Sequence, residues 1–423
     1  MKESFFQRKG VKTFLASLIS IMIGMVAGII VIIVVGLTNS TIADSTIWDG
    51  IRLVVMGVFS KGRDAVGNLT FGFNPAFFGN MLFRAMPLIL TGLSVAVAYK
   101  TGLFNIGAPG QYLAGICATL FVALSIPTSS VAPWIVWTLA FLAGMLAGAL
   151  WGCIPGLLKS LLNINEVIAC IMTNWLAACL VTWAFDVSSL KNVIEGTKTG
   201  YIYKTAMIIN DYELGGVVGV AGPELPEGAT LLATRGNVAT AKMGLDRLFA
   251  GSQVNGGILI AIVFAILLYV IMEKTTLGYQ LKACGSNRHA AKYAGIHDKR
   301  NIVLSMGIAG AMAGAAGSLY GLSGNTEFFW ATYQSLPAVG FTGIAVSLLA
   351  VNNPIGVIFS GVFMSFLNVN GLQLTNQTAY NENITDVIIS VIVYLSAFSM
   401  LIRSLMEKKK EKPKTASSGE VKA

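Results

Sequence analysis

The stretch PWIVWTLAFLAGMLAGALWGCIPGLL, residues 133–158, has no charged side chain. An α-helix needs about 20 mostly apolar residues to cross the hydrocarbon core of a bilayer, so this stretch is long enough to span one. Comparable apolar runs lie on both sides of it, at about 14–37, 76–98, 105–126, 165–185, 256–272, 302–322, 336–351, 354–374 and 384–402. Backbone polar groups in lipid must be satisfied within the spanning element. The sequence therefore predicts an all-α, polytopic membrane helical bundle with about ten transmembrane helices.

The overall composition favours the same class, because 55% of the 423 residues are hydrophobic and only 12% are charged. About a quarter of the residues of a soluble domain are charged. The first apolar run follows a basic stretch, as in a signal peptide, but it exceeds the roughly 7–15 apolar residues of such a peptide and no small-residue cleavage site follows it. We expect this run to be retained as the first helix.

The distribution of charge predicts the orientation in the membrane. Lysine and arginine are concentrated in the terminal segments and in the loop 273–301, and Lys100 and Lys159 lie in two short turns. Because cytoplasmic loops are enriched in these residues, we expect both termini and these loops to be cytoplasmic. Residues 403–423 then form a basic cytoplasmic tail, interpreted as a cytoplasmic stop signal, with contact to anionic membrane lipid as the alternative. Residues 186–255 form an extracytoplasmic loop insertion.

Residues that catalysis or metal binding would require are scarce. The chain has two histidines, His289 and His297, which both lie in the loop 273–301, and its five cysteines form no CxxC pair. It also has no GxxxxGK[ST] phosphate-binding loop, so any ATP hydrolysis has to reside on another chain. We expect no catalytic residue, no metal site and no cofactor. Basic residues outside the spans do not alternate with aromatic ones, so nucleic acid is not an expected partner.

Within the loop 273–301, the segment GSNRHAAKYAGI (residues 285–296) predicts a short helix. Ser286 or Asn287 can cap its N-terminus, and Gly295 can end it in the left-handed conformation. Ala290, Ala291 and Ala294 would form a small apolar face. We interpret this helix as a docking element for a groove on another protein, and a connector lying on the membrane surface is the alternative.

Several segments resemble one family of transport proteins. Residues 285–296 are similar to the coupling loop of ABC importer permeases, with His289 in place of the usual glutamate of its Glu-Ala-Ala…Gly pattern. Residues 102–111, GLFNIGAPGQ, resemble the GLFNIGAEGQ signature of the branch that handles branched-chain amino acids, sugars and nucleosides, with Pro109 replacing glutamate. The segments NEVI (165–168), MTN (172–174) and NPIG (353–356) are similar to the same branch, and the resemblance points to its nucleoside-type permeases.

This resemblance implies that residues 1–402 form an ABC permease transmembrane domain in a bacterial cell membrane. The chain would form the translocation path for nucleosides, and a separate ABC ATPase subunit would hydrolyse ATP. A second related permease and an extracytoplasmic substrate-binding lipoprotein would complete the complex. The residues implied in ATPase coupling are Gly285, Asn287, Ala290, Ala291, Ala294, Gly295 and Ile296.

Five residues are candidates for the substrate path: Asn105, Gln111, Glu166, Asn174 and Trp175. Asn105 and Gln111 lie where glycine and proline interrupt a helix, which membranes tolerate beside protein or a wet cavity. Glu166 is an intramembrane carboxylate, although a helix N-terminus also favours an acidic residue. Asn174 and Trp175 offer a hydrogen bond and a stacking face, and contact between helices is the alternative for Asn174.

Two alternative functions stay open at this level. The first is a simple-sugar or branched-chain amino-acid permease of the same branch. The second is an ion-coupled secondary transporter, which would require titratable residues within the spans. Glu166 and Arg84 are a small supply of such residues.

Overall fold

The computed structural model describes residues 9–38, 44–126, 131–188, 200–203, 238–323, 328–331 and 335–396. The predicted tail 403–423 and most of the predicted insertion 186–255 lie outside these residues. The helices are α1 (Lys9–Thr38), α2 (Asp44–Met56), α3 (Pro75–Lys100), α4 (Ala108–Ser125), α5 (Pro133–Leu162), α6 (Glu166–Val187), α7 (Leu245–Leu248), α8 (Gly257–Lys274), α9 (Thr276–Ser286), α10 (Arg288–Tyr293), α11 (Asp298–Gly321), α12 (Ala338–Leu349), α13 (Pro354–Gln377) and α14 (Glu382–Ser396). A 3-10 turn at Gly57–Phe59 follows α2.

Two small antiparallel ribbons accompany the helices, so the described chain is not purely α-helical. Strand β1 (Ser60–Arg63) pairs with β2 (Leu69–Phe71), and β3 (Gly200–Tyr203) pairs with β4 (Phe328–Ala331). Both ribbons lie outside the apolar runs that define the predicted spans. The helical bundle therefore remains the framework of the protein.

Seven helices among the described residues are long and apolar enough to cross a membrane: α3, α4, α5, α6, α8, α11 and α13. Each coincides with a run that the sequence singled out. Helix α12 has only 12 residues, which is about 18 Å at 1.5 Å per residue, short of the roughly 30 Å hydrocarbon core. The other two runs correspond to α1, which has 30 residues, and to α14, which has 15.

The structure refines the bounds of two predicted segments. In the run 105–126, α4 begins at Ala108, and residues 103–107 before it are not helical. The loop 273–301 is largely helical, since α8 extends to Lys274, α9 and α10 follow it, and α11 begins at Asp298.

The chain divides into two compact units. One comprises Met1–Ile51 with Thr378–Ala423, and the other comprises Arg52–Gln377. In the first unit, α1 packs against α14, and the Tyr380 hydroxyl donates to the carbonyl of Ile32 at 2.9 Å. The second unit contains the seven long helices and is described further below.

Close helix packing in the larger unit joins α5 to α11. A Cβ atom added at Gly148 would lie 2.7 Å from the Cα of Gly314, and one added at Gly152 would lie 3.0 Å from the Cα of Gly310. Small residues let helix backbones approach in this way, and in lipid that approach provides packing and weak hydrogen bonds. These glycines, spaced four residues apart on each helix, therefore form a helix–helix contact.

Candidate functional site

The connection between α3 and α4 turns back into the bundle. Gly102 has a φ of 74°, a left-handed conformation that glycine adopts without strain. The Asn105 amide donates to the hydroxyl of Ser94 at 3.0 Å. Ser94 lies six residues before the end of α3, so this contact is about 9 Å from that end along the helix axis. Helix α4 therefore begins inside the bundle, with Pro109 in its first turn, where a missing N–H costs little.

A pair of buried amides holds this irregular segment. Asn105 Nδ2 donates to Gln111 Oε1 at 2.8 Å, and Gln111 Nε2 donates to Asn105 Oδ1 at 3.1 Å. Asn105 Oδ1 also accepts from the backbone N–H of Gly107 at 3.0 Å. Both side chains are almost fully buried. Buried backbone groups need hydrogen-bond partners, and here Asn105, held in place by Gln111, supplies one to Gly107 where helical bonds are absent.

Asn174 of α6 completes the same network from a second helix. Its Oδ1 accepts from the backbone N–H of Gly110 at 2.9 Å, and its Nδ2 donates to the carbonyl of Ile106 at 2.9 Å. Asn174 thus satisfies a donor in the first turn of α4 and an acceptor in the segment before it. The structure brings Asn105, Gln111 and Asn174 together although up to 69 residues separate them in the chain.

The N-terminus of α12 meets the N-terminus of α4. A Cβ atom at Gly340 would lie 2.7 Å from the Cα of Pro109, and the Thr91 hydroxyl donates to the carbonyl of Val339 at 3.2 Å. Two helix N-termini, each with a partial positive charge, therefore lie next to α3 within the bundle. Non-helical backbone at such depth is tolerated beside protein or a water-filled path.

Glu166 and Trp175 lie apart from the amide network. Glu166 is the first residue of α6, and its carboxylate pairs with the Lys159 ammonium at 3.0 Å, where both side chains are partly exposed. Trp175 is 47% exposed on the surface of α6, although its neighbour Asn174 is buried. Three of the five candidate path residues therefore form one cluster. Of the other two, Glu166 lies at the N-terminal end of α6 and Trp175 lies on its exposed surface.

The segment after α8 forms the short capped helix that the sequence predicts. The Asn287 side chain accepts from the N–H of Ala290 at 3.0 Å and caps α10. Gly295 has a φ of 78°, and Ile296 N–H donates to the carbonyl of Ala291 at 3.0 Å. This is the Schellman pattern of a helix C-terminus. Both ends of α10 are thus confirmed.

The surface of α10 differs from the expected alanine face. Ala291 is 4% exposed and packs within this chain, whereas Ala290 and Ala294 are exposed. Tyr293 is 94% exposed between them. The outward face is therefore Ala290, Tyr293 and Ala294. Tyr293 was not part of the face predicted from the sequence.

Contacts connect α10 to the segment that enters α4. Gly285, at the end of α9, lies so close to the α3–α4 turn that an added Cβ would be 2.5 Å from the carbonyl oxygen of Lys100 and 2.7 Å from the nitrogen of Gly102. The Ser305 hydroxyl of α11 donates to the Thr101 hydroxyl at 2.8 Å. Glu273 pairs with Lys282 of α9 at 2.8 Å and with Lys100 of α3 at 3.6 Å. A continuous path of contacts thus runs from α9 and α10 to the amide network.

Residues 77–397 match the family described as branched-chain amino acid transport system / permease component. The chain belongs to this permease family. It is 31% identical to the guanosine ABC transporter permease protein NupP of Bacillus subtilis, over 96% of this chain and 99% of the relative. It is 34% identical to the nucleoside ABC transporter permease protein NupB of Lactococcus lactis, over 84% and 92%. It is 32% identical to the glucose ABC transporter permease protein TsgB13 of Haloferax volcanii, over 76% of each chain. No solved structure matches.

As a member of this permease family, with seven membrane-length helices in its described part, the chain is a multi-pass membrane protein. Ser94, Gly102 and Tyr293 are further residues of this region that were not predicted as site residues from the sequence. Ser94 and Gly102 have a usable signal, since Ser94 is a polar residue within an apolar helix and Gly102 is the first residue of the GLFNIGAPGQ segment. Their partners became evident only from the packing.

Proposed function

We propose that this permease is the membrane subunit of an ATP-driven importer and forms the translocation path for nucleosides, while a separate ABC ATPase subunit hydrolyses ATP. The observation that supports this most strongly is the similarity to a guanosine permease along nearly the whole of both chains. The nucleoside permease of L. lactis supports the same substrate class. A second related permease and an extracytoplasmic substrate-binding lipoprotein would complete the complex in the bacterial cell membrane.

The proposed arrangement in the membrane has about ten spans, with α1, α12 and α14 added to the seven long helices. Both termini would be cytoplasmic, together with the end that contains α9 and α10. The charges favour this orientation, because Lys100, Lys159, Lys274, Lys282 and Lys292 all lie at this end of the larger unit or next to it. The basic tail 403–423 would then be cytoplasmic and the loop 186–255 external.

The proposed substrate path passes the meeting point of the α4 and α12 N-termini. Asn105, Gln111 and Asn174 hold the backbone there in a non-helical form, and the ends of both helices present polar groups at membrane depth. Glu166 and Trp175 would contribute from the end and the outer face of α6, where the second permease would adjoin this chain. Nucleosides have hydroxyl and amide-like groups that such polar backbone can bind.

The proposed coupling element is α10 with its flanking residues. Its exposed face, Ala290, Tyr293 and Ala294, would enter a groove on the ATPase, while Asn287 and Gly295 set its two ends. Gly285 and Ile296 would join it to the membrane helices. Movement of α10 would reach the α4 N-terminus through the contact between Gly285 and Gly102.

A sugar is the second candidate substrate, and the glucose permease of H. volcanii favours it. Uptake decides between the two. The complete complex, reconstituted in vesicles with ATP inside and binding protein outside, should accumulate labelled guanosine and should not accumulate labelled glucose. Accumulation of glucose alone would assign the sugar class. Accumulation that needs an ion gradient but not ATP would overturn the importer assignment.

A further inference from the structure

A furrow of about 660 Å³ runs between α5 and α11 on the surface of the larger unit. Its apolar walls include Ala149, Cys153 and Leu157 of α5 and Val303, Gly307 and Ala311 of α11. These residues recur every four positions, so they follow one face of each helix. Because Ala149, Gly307 and Ala311 have small side chains or none, the two helices leave a gap beside their contact.

The length of this furrow matches one lipid chain. Its α5 wall extends from Ala149 to Leu161, which is about 18 Å at 1.5 Å per residue. One leaflet of the hydrocarbon core is about 15 Å thick. A single acyl chain would therefore fill the furrow from the membrane surface to about the bilayer centre.

The end of the furrow nearest α10 is basic. Lys299 and Arg300 line it, together with the Ser160 hydroxyl, and both cationic side chains are exposed. Other cations nearby have carboxylate partners, such as Lys159 with Glu166 and Arg288 with Asp298. Within the described part of the chain, no salt bridge involves Lys299 or Arg300. This end of the furrow thus has two positive charges without a counter-charge.

We propose that the furrow binds an anionic glycerophospholipid, with one acyl chain between α5 and α11 and the headgroup phosphate against Lys299 and Arg300. Basic pockets between membrane helices at the cytoplasmic surface suit anionic headgroups, and an arginine guanidinium can hold a phosphate through two hydrogen bonds. Free phosphate would not need the apolar walls. A helix of another protein would bury the two cations without neutralising them. A lipid phosphate would neutralise their charge.

The bound lipid would lie beside the coupling element. Asp298, which precedes Lys299, forms an ion pair with Arg288 of α10 at 2.6 Å. A phosphate at Lys299 and Arg300 would therefore stand next to the pair that fixes α10 to α11. The proposal concerns lipid binding and does not depend on which solute the permease transports.

The test is native mass spectrometry of the purified complex titrated with phosphatidylglycerol or phosphatidylcholine. We expect preferential retention of phosphatidylglycerol, and the double variant Lys299→Gln/Arg300→Gln should weaken it at least about tenfold, because hydrogen bonds to charged groups are lost. Lys274→Gln, at an exposed lysine of the same end outside the furrow, is the matched control and should not change retention. Equal retention by the double variant and the control would overturn the proposal.

A second variant separates lipid from other occupants. Ala311→Leu fills part of the furrow and leaves both cations, so it should weaken phosphatidylglycerol retention without changing the binding of inorganic phosphate. Unchanged retention of phosphatidylglycerol by Ala311→Leu would assign a phosphate site alone and overturn the lipid proposal. The variant Leu161→Cys is a further check. An efficient cross-link from it to the second permease would show that protein covers the furrow, and that result would also overturn the proposal.

Discussion

Asn105 and Asn174 accept hydrogen bonds from backbone N–H groups at the start of α4. In most helices, solvent or a local capping residue accepts these bonds. A helix that begins inside a membrane bundle has free backbone N–H groups and no water to bind them. Here one cap comes from the preceding turn and the other from α6, 64 residues further along the chain than Gly110. The start of α4 therefore depends on the packing of α6.

Replacing Asn174 by alanine should affect both stability and transport. The Gly110 N–H and the Ile106 carbonyl would lose their buried partner, at a cost of about 1–3 kcal/mol in the free energy of unfolding. We expect a lower melting temperature of the purified complex together with reduced guanosine uptake. Leu176→Ala, at a 49% exposed residue of the same helix, is the control. Parental melting and uptake in Asn174→Ala would remove Asn174 from the site.

Trp175→Ala provides a contrasting expectation for the neighbouring residue. Its side chain is 47% exposed and lies outside the amide network, so its loss should leave the melting temperature unchanged. If the path adjoins this face of α6, uptake should fall, because a stacking surface for the nucleobase is lost. Unchanged uptake by this variant would place Trp175 against lipid.

Gly285 is the residue where α9 touches the α3–α4 turn. Gly285→Ala would place a methyl carbon 2.5 Å from the Lys100 carbonyl oxygen, so one of the two backbones has to move. We expect the variant complex to keep its ATPase subunit but to transport less guanosine per ATP hydrolysed. Ser286→Ala, at the exposed next residue, is the control. A parental ratio of transport to hydrolysis in Gly285→Ala would show that this contact does not transmit coupling.

Exposed and buried residues of α10 are expected to have different roles, the exposed ones in ATPase docking and the buried Ala291 in packing within this chain. Ala290→Glu adds a charge to the exposed face and should release the ATPase while this subunit inserts and melts as the parent does. Ala291→Glu adds the charge at a 4% exposed position, where desolvation disfavours it, so this variant should lower the melting temperature of the subunit itself. Copurification of the ATPase and the melting temperature are measured for both, with Lys274→Glu as the charged control outside α10.

Two outcomes would contradict the assignment of Ala290 to docking and Ala291 to packing. If Ala290→Glu retains the ATPase at the parental ratio and transports normally, then α10 is a connector on the membrane surface. If Ala291→Glu melts like the parent, its side chain is accessible, and the alanine face expected from the sequence would be the docking face.

Helices α5 and α11 illustrate how small residues organise the bundle. Gly148 and Gly152 of α5 lie against Gly314 and Gly310 of α11, and the small residues Ala149, Gly307 and Ala311 line the furrow beside this contact. Small residues therefore contribute both to the close approach of the two backbones and to the groove next to it. Helix α12 depends on glycine in the same way, since Gly340 and Gly343 lie against Pro109 and Thr91.

At the scale of the whole molecule, the proposed ten-span arrangement predicts the location of each loop. A reporter fused after Lys274 or at the C-terminus should be cytoplasmic, and one placed within 190–250 should be external, because the basic segments stay inside. Paired alkaline phosphatase and fluorescent-protein fusions measure this directly. An external C-terminus would require an odd number of spans and would remove α12, α1 or α14 from the count.

Much of the fold was predictable because its determinants are local. The length of each apolar run decides whether a helix can cross the bilayer, and all seven long helices coincide with predicted runs. The N-cap at Asn287 and the left-handed Gly295 depend on residues within one turn, so they were also predictable. The family was evident in the GLFNIGAPGQ segment for the same reason.

The tertiary structure alone decided which neighbour each polar side chain meets. Helical periodicity places Asn174 and Trp175 on different faces of α6, but it does not say that one face meets the α4 N-terminus and the other is exposed. It also does not say that Ala291 packs inward while Ala290 and Ala294 face outward. In a chain where nearly every helix is apolar on all sides, composition cannot distinguish a face against protein from a face against lipid. That distinction arises from contacts between residues far apart in the sequence, which is why the spans were determined by the sequence and the site by the packing.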